Sequence, residues 1–261
     1  DINFIIKLNR KQYKIIDEPE KTKLDIKSLF NIYGFEENFK IKNGKKVWND
    51  VHFELNPENI ELYEKLNYQL SKNTIVIYPI FTAAAYSEPG FYSYFREECD
   101  EKCLTGNYKN SMNQILLQGK WISSIQIIGY EIISDIDVDQ DPDILKKYDK
   151  VILLHNEYVT KKEFNAITNH PNVIFLYPNA LYAEVKIDYN TNFLTLQRGH
   201  NFPESQIRNG FDWKFDNSPL EYDVDCKDMG FDRIENGWML NCYPERPIHQ
   251  SKVLLNMIKE F

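Results

Sequence analysis

Four short apolar runs, Thr74–Tyr78, Tyr130–Ser134, Val151–Leu154 and Val173–Leu176, constrain this chain more than any other feature of it. Each is rich in branched and aromatic residues, and the stretches between them read as helices. Ser111–Ile128 is long, amphipathic and closed by Gly129; Asp141-Pro142-Asp143 opens a short helix through Lys147; Thr160 caps one running through Thr168. Strand alternating with helix specifies a mainly parallel sheet with helices on both faces, a three-layer α/β sandwich joined by right-handed crossovers. The ligands of such sheets bind at the carboxyl edge of the strands, where the strand order switches direction.

The flanks have a different texture. Ile2–Leu8 and Gln12–Ile16 read as short strands and Asn43-Gly44 as a turn, so residues 1–55 are predicted to form a small β extension packed on the main domain. Asn56-Pro57-Glu58 starts a helix with Ile60, Leu62, Tyr63, Leu66 and Leu70 on one side, ending near Ser71. Residues 56–261 then form the α/β domain, elaborated from about residue 183. Glu184–Tyr189 and Phe193–Arg198 alternate as a hairpin around Asn190-Thr191-Asn192. A polar and aromatic segment, Gly199–Asn236, precedes a last strand at Trp238–Cys242 and a closing helix at Ile248–Phe261.

No apolar segment is long and uncharged enough to span a membrane. A formal net charge of -8 leaves no basic stripe to neutralise phosphates, which argues against a nucleic-acid partner. The four cysteines, Cys99, Cys103, Cys226 and Cys242, lie in polar surroundings, and their even number predicts disulfides. Disulfides in turn imply an extracytoplasmic or secreted protein with a signal sequence removed upstream of Asp1. The cysteine spacing matches no zinc-binding set.

Two loops carry the candidate chemistry. Pro79–Gly90 follows the first core strand, and His155-Asn156-Glu157-Tyr158 follows the third. In the flavodoxin-like strand order 2-1-3-4 these strands are neighbours, and Thr82, Tyr86, His155, Glu157 and Tyr158 crowd one crevice at the switch point. A carboxylate and a phenolate are donors for a hard cation, and an imidazole beside them can ligate or move a proton. The same residues also suit a plain strand end that satisfies backbone groups and packs half-buried rings. Elsewhere, Asp135, Asp137, Asp139 and Asp141 alternate like a calcium loop. Gln140 stands where the glycine of such a loop belongs, so a solvated strand edge with Asp141 as helix cap is the expectation. Arg198-Gly199-His200 reads as an ordinary turn, with a second imidazole for the cleft as the alternative. Asn209–Asn217, which includes Trp213, reads as a lid, a glycan-stacking surface or a packed loop. The chain has no Gly-x-Ser-x-Gly elbow, no P-loop, no dinucleotide fingerprint and no cysteine at a strand-to-helix turn, which removes the serine-hydrolase, nucleotide-binding and thiol-amidotransferase chemistries.

Three blocks, Thr82-Ala-Ala-Ala-Tyr86, His155-Asn-Glu-Tyr-Val-Thr160 and Asn179-Ala-Leu-Tyr182, resemble the Thr-x-x-Ala-Tyr, His-x-Glu-Tyr-x-Thr and Asn-x-x-Tyr blocks of the N,N-dimethylformamidase large-subunit, C-terminal-like family. They occur in the same order and cover roughly residues 74 to 190. The resemblance implies a glutamine-amidotransferase-like α/β domain without the nucleophilic cysteine. It also implies a mononuclear iron held by two tyrosines and a glutamate that activates water against an amide carbonyl. Tyr86 and Glu157 map onto two of those ligands, and Tyr92, Tyr94 and Tyr158 are the positions open to the second tyrosine.

The expected function is metal-assisted hydrolysis of a small amide or related C–N bond. In it Tyr86 and Glu157 hold the metal, His155 relays a proton or positions water, and Tyr158 or Thr82 orients the substrate. No organic cofactor is expected. The alternative is a non-catalytic exported module that binds a surface glycan or protein through its aromatic C-terminal loops.

Overall fold

A computed structural model describes residues 20–36, 38–48, 51–66, 73–109, 129–222 and 224–261. The predicted strands Ile2–Leu8 and Gln12–Ile16, the helix Ser111–Ile128 and the end of the helix expected to reach Ser71 lie outside them. The chain divides into two compact units: residues 1–72, 116–132 and 245–261, and residues 73–115 and 133–244.

The first unit is built on a three-stranded antiparallel sheet of β1 (Lys21–Lys23), β2 (Phe30–Phe35) and β5 (Val51–Leu55), with β2 central. Between β2 and β5, β3 (Phe39–Lys42) and β4 (Lys45–Trp48) form a hairpin. Its turn is Asn43-Gly44, both left-handed at φ 51° and 72°, the backbone a two-residue hairpin turn requires. β2 alternates buried and half-buried side chains, so one face of the sheet meets a small core. Phe30, Ile32, Phe53, Tyr63 of α1 (Ile60–Lys65) and Leu255 pack together there. Asn56 caps the 3-10 turn that leads into α1 by accepting from the Glu58 amide. The closing helix expected at 248–261 is two helices, Pro247–Gln250 and Lys252–Glu260. The break is at Ser251, whose extended backbone and hydroxyl cap the second by accepting from the Leu254 amide.

The main sheet has six strands in the order β14-β15-β11-β9-β6-β8, comprising β6 (Thr74–Tyr78), β8 (Glu131–Ser134), β9 (Lys150–Leu153), β11 (Val173–Phe175), β14 (Phe231–Ile234) and β15 (Gly237–Leu240). β6, β9, β11 and β15 run parallel, and β14 pairs antiparallel at the edge. The four predicted core strands thus lie in the order 2-1-3-4, and β15 extends the row. β6 and β11 are buried at every position and β9 at all but its first, the pattern of strands covered on both faces. β6 and β9 are in register at Ile77–Leu153 and β9 and β11 at Leu153–Phe175, so the chain leaves all three strands at one edge.

A second sheet, in the order β10-β12-β13-β7, comprises β7 (Thr105–Asn107), β10 (Tyr158–Val159), β12 (Ala183–Asp188) and β13 (Phe193–Arg198). β12 and β13 form the predicted hairpin, turning at Asn192 with φ 63°. β10 begins one residue after Glu157, and the Glu157 carbonyl accepts from the Tyr182 and Ala183 amides, so this sheet is hung from the site strand.

The aspartate run departs from expectation. Residues 135–140 form α4, following α2 (Ile80–Ala85) and α3 (Phe91–Phe95) in the chain, and they are not a solvated strand edge. Ser134 caps α4 in a reciprocal box with Asp137, whereas Asp141 makes no side-chain cap to the 3-10 helix Pro142–Lys147. Helical spacing turns Asp135 and Asp139 inward, against Glu163 of α5 (Lys161–Thr168); their exposures are 0%, 5% and 0%. Asp135 accepts from the Phe81 amide, and Asp139 accepts from the Thr160 and Tyr189 hydroxyls. Among the described residues, both Glu163 oxygens and Asp135 Oδ1 have no hydrogen-bond partner. Burial pushes Asp135 and Glu163 well above the ordinary carboxylate range, outweighing the amide hydrogen bonds that pull the other way. A carboxyl raised on folding contributes most stability below its unfolded pKa of about 4 and loses it as pH rises. Glu163→Gln is therefore expected to be more stable than the parent at pH 7–8, with the gap closing toward pH 4. Urea denaturation across that range measures it, and a gap that widens on acidification would refute the assignment.

The segment Asn209–Asn217 is a packed loop. Trp213 lies against Phe164, Phe175 and Phe215, and Phe211 stacks on Phe164 at 4.0 Å. These rings leave Trp213 half-buried. Both disulfides form, Cys99–Cys103 and Cys226–Cys242, leaving no free cysteine. They are compatible with an extracytoplasmic protein. No helix among the described residues is long and apolar enough to cross a membrane.

Candidate functional site

Glu157 is the centre of the site. It lies in the loop between β9 and β10 with no exposed surface, and its backbone is fixed from below by Thr82, on α2. The Thr82 hydroxyl oxygen accepts from the Glu157 and Tyr158 amides, each at 3.0 Å. Thr82 is only 3% exposed and holds the loop that carries Glu157. Thr82→Val should cost about 1–3 kcal/mol by stranding two buried N–H groups, and Thr82→Ser should restore most of it. Thermal unfolding of the two variants tests the pair.

Three oxygen-bearing groups converge on one another. The Tyr86 hydroxyl, at the end of α2, donates to Glu157 Oε2 at 2.7 Å. The Tyr92 hydroxyl, on α3, lies 3.1 Å from Glu157 Oε1 and 3.1 Å from the Tyr86 hydroxyl. Tyr86 is 37% exposed as a residue, with its hydroxyl turned inward onto buried Glu157. Of the three positions open to a second tyrosine ligand, Tyr92 is the one that reaches both Tyr86 and Glu157. Tyr158 is fully buried and stacks on His200, and the Tyr94 ring packs on Phe95 and Phe202.

Two imidazoles flank the carboxylate. His155 Nε2 is 3.4 Å from Glu157 Oε2 and 3.2 Å from Asn179 Nδ2, and the ring stacks on Tyr177 at 4.3 Å. Its side chain is 24% exposed, which leaves it a route to solvent. On the other side His200 lies just beyond β13, with left-handed backbone at φ 53°. Its Nε2 stands 2.6 Å from Glu157 Oε1 and its Nδ1 2.7 Å from Glu221 Oε1. Glu221 is held in turn by the Tyr182 hydroxyl at 2.8 Å and Arg208 at 3.2 Å. His200 was the minor alternative to a turn in the sequence, and Glu221 carried no signal, since only tertiary folding brings a residue 64 positions away to the network. Arg198 instead pairs with Asp212.

The charges follow from these contacts. Burial alone would raise Glu157, but the close His155 and His200 imidazoles override it and hold the carboxyl well below its usual range. Burial first, then the Glu157 charge, pushes the Tyr86 and Tyr92 phenols far above theirs. Without a cation the centre is therefore one carboxylate with two neutral phenols beside it. Oxygens spaced 2.7–3.1 Å apart suit hydrogen bonds, and they also suit neighbouring donors around one cation, which stand about 2.8–3.1 Å apart when metal–oxygen distances are about 2.0–2.2 Å. Among the described residues no group of three His, Cys, Asp or Glu is arranged to hold a metal ion.

A cleft of about 780 Å³ adjoins this centre and shares Tyr92 and His200 with it. A second hollow of about 860 Å³ lies by Lys146, Lys162 and His170. There the His170 nitrogens contact the Tyr148 and Asn172 carbonyls, which gives that imidazole a structural role. Compared with known proteins, the chain matches no family model and no curated sequence.

Proposed function

We propose that the chain is a metal-assisted hydrolase of an amide or related C–N bond, on a flavodoxin-like, glutamine-amidotransferase-like scaffold of the N,N-dimethylformamidase large-subunit type. The convergence of the Tyr86 and Tyr92 hydroxyls on the Glu157 carboxylate carries the reading, because two phenols and a carboxylate form a hard oxygen set suited to ferric iron. Held by Tyr86, Tyr92 and Glu157, such an ion would polarise the amide carbonyl and lower the pKa of water.

The chain's own residues supply the rest. His200 and Thr82 fix Glu157 from two sides, one at its carboxylate and one at its backbone. His155 has the solvent access that a proton relay needs: as water adds to the carbonyl carbon and the C–N bond breaks, its imidazole can pass a proton to the departing nitrogen. Asn179, 3.2 Å from His155, orients that ring together with Tyr177. The two disulfides support an extracytoplasmic setting for this chemistry.

Titration of the purified protein with ferric iron tests the reading. Uptake of one ion per chain should produce a visible phenolate-to-iron absorption and release about two protons, one from each phenol. A protein that takes up no iron, or takes it up colourlessly and without proton release, does not use these phenols.

A further inference from the structure

The cleft beside the oxygen centre has a composition of its own. Its walls carry the rings of Tyr92, Tyr94, Phe95 and Tyr222, the last 69% exposed. The first three form one continuous aromatic wall, with Tyr92–Phe95 and Tyr94–Phe95 edge-to-face, each at 5.7 Å. The cations lining the cleft are already matched. Arg96 is clamped by Glu88 at 2.8 Å and Glu98 at 2.9 Å, and His200 lies between Glu157 and Glu221. Asp100 has Lys102 at 3.3 Å. Glu97, also on the cleft, makes no ion pair among the described residues.

Backbone strain gathers at the same place. Glu97, His200 and Asn201 all line the cleft in left-handed conformations, at φ 59°, 53° and 64°. A glutamate there is costly, and residues held so by their surroundings concentrate where a ligand is gripped. The cleft volume also lies within the span of about 300–1,000 Å³ typical of small-molecule sites, far more than an amide of a few atoms needs.

Aromatic rings and a carboxylate without an ion pair among the described residues, lining one cleft, are the elements of a receptor for a large, weakly hydrated cation. We propose that the Tyr92–Tyr94–Phe95–Tyr222 cleft is a recognition subsite for an alkylated or quaternary ammonium group, seated over the rings and facing Glu97. The amide acted upon is then one whose far end carries a fixed positive charge. That second statement rests on the hydrolase reading, whereas the subsite itself does not. The net charge of -8 draws such a ligand toward the protein.

Calorimetric titration of the full chain with choline, with its uncharged carbon isostere 3,3-dimethylbutan-1-ol and with maltose tests the proposal. Choline should bind at least about tenfold more tightly than the isostere. Glu97→Gln should weaken choline about fivefold and leave the isostere unchanged, and Tyr222→Ala should weaken choline as well. Equal binding of choline and the isostere, preference for maltose, or no effect of Glu97→Gln would each overturn it. Choline binding should persist in Glu157→Gln, which removes the charge of the carboxylate but keeps a side chain of the same shape behind Tyr92 and His200. If that variant and the parent both bind choline while the parent takes up no iron, the hydrolase reading falls and the ammonium subsite stands.

Discussion

Replacing His200 by alanine is expected to remove about 3–5 kcal/mol of folding stability from the metal-free protein. The imidazole is 6% exposed and bridges two carboxylates whose side chains are 0% and 3% exposed, at 2.6 and 2.7 Å. Truncation would leave Glu157 and Glu221 facing a void, with the His155 imidazole 3.4 Å from Glu157 and the Arg208 guanidinium 3.2 Å from Glu221. The pH dependence identifies the cause. Burial by itself lowers the His200 pKa, but the two carboxylates more than offset it and push it up to about 9, from 6.5. Between those values the folded chain holds a proton the unfolded chain has lost, so this stabilisation is complete below pH 6.5 and disappears as pH rises through 9. The depressed carboxyls act in the opposite sense, and their contribution is lost on acidification. Denaturant unfolding should therefore show the parent weakening more steeply between pH 6.5 and 9 than His200→Ala, which keeps only the decline due to the raised Asp135 and Glu163 carboxyls. A variant that keeps the parental decline would mean that another group titrates.

The second large effect is all-or-none. Glu157→Ala should abolish ferric iron uptake and amide turnover together, because it removes the carboxylate shared by both phenols. Tyr86→Phe and Tyr92→Phe should each weaken the visible absorption and cut iron affinity by at least about a hundredfold, a loss at the upper end of what supporting residues alone cause. Asn179→Ala should lower turnover while leaving the absorption in place, since its contact is with His155. Absorption and elemental analysis of the four proteins separate these outcomes. Iron retained in Glu157→Ala at parental affinity would move the centre elsewhere. Because Glu157→Ala also leaves His200 without one of its two carboxylates, its fold should be checked by circular dichroism, with Glu157→Gln as the isosteric companion.

What could be read in the sequence depended on whether a local pattern determined the outcome. The β6, β9 and β11 runs have apolar residues on both faces, which suits the middle of a parallel sheet, and their order brought Tyr86 and Glu157 together. Tyr92 was legible as one of three candidates, because only the packing of α3 decides which ring reaches the carboxylate. His200 was harder: it follows a hairpin strand in a tight left-handed turn, and nothing near it in sequence indicates that β13 ends beside the β9 loop. The aspartates were misread for a different reason. Alternation at every second residue resembles an exposed strand, yet Ser134 and Asp137 form a helix-capping pair, and the Asp135–Asp139 spacing of four is helical. The local cap prevailed over the apparent period.

The Cys99–Cys103 bridge closes a ring of only a few residues, too small to restrict a denatured chain by much. Its effect is local. It cinches a segment that carries Asp100 and begins two residues beyond Glu97, while the Cys226–Cys242 bridge, spanning 16 positions, ties down a longer stretch of backbone. Mild reduction would thus leave a molecule that still folds and still presents Glu157 with its two phenols, but with a slackened cleft rim and reduced power to discriminate among the ligands that reach it.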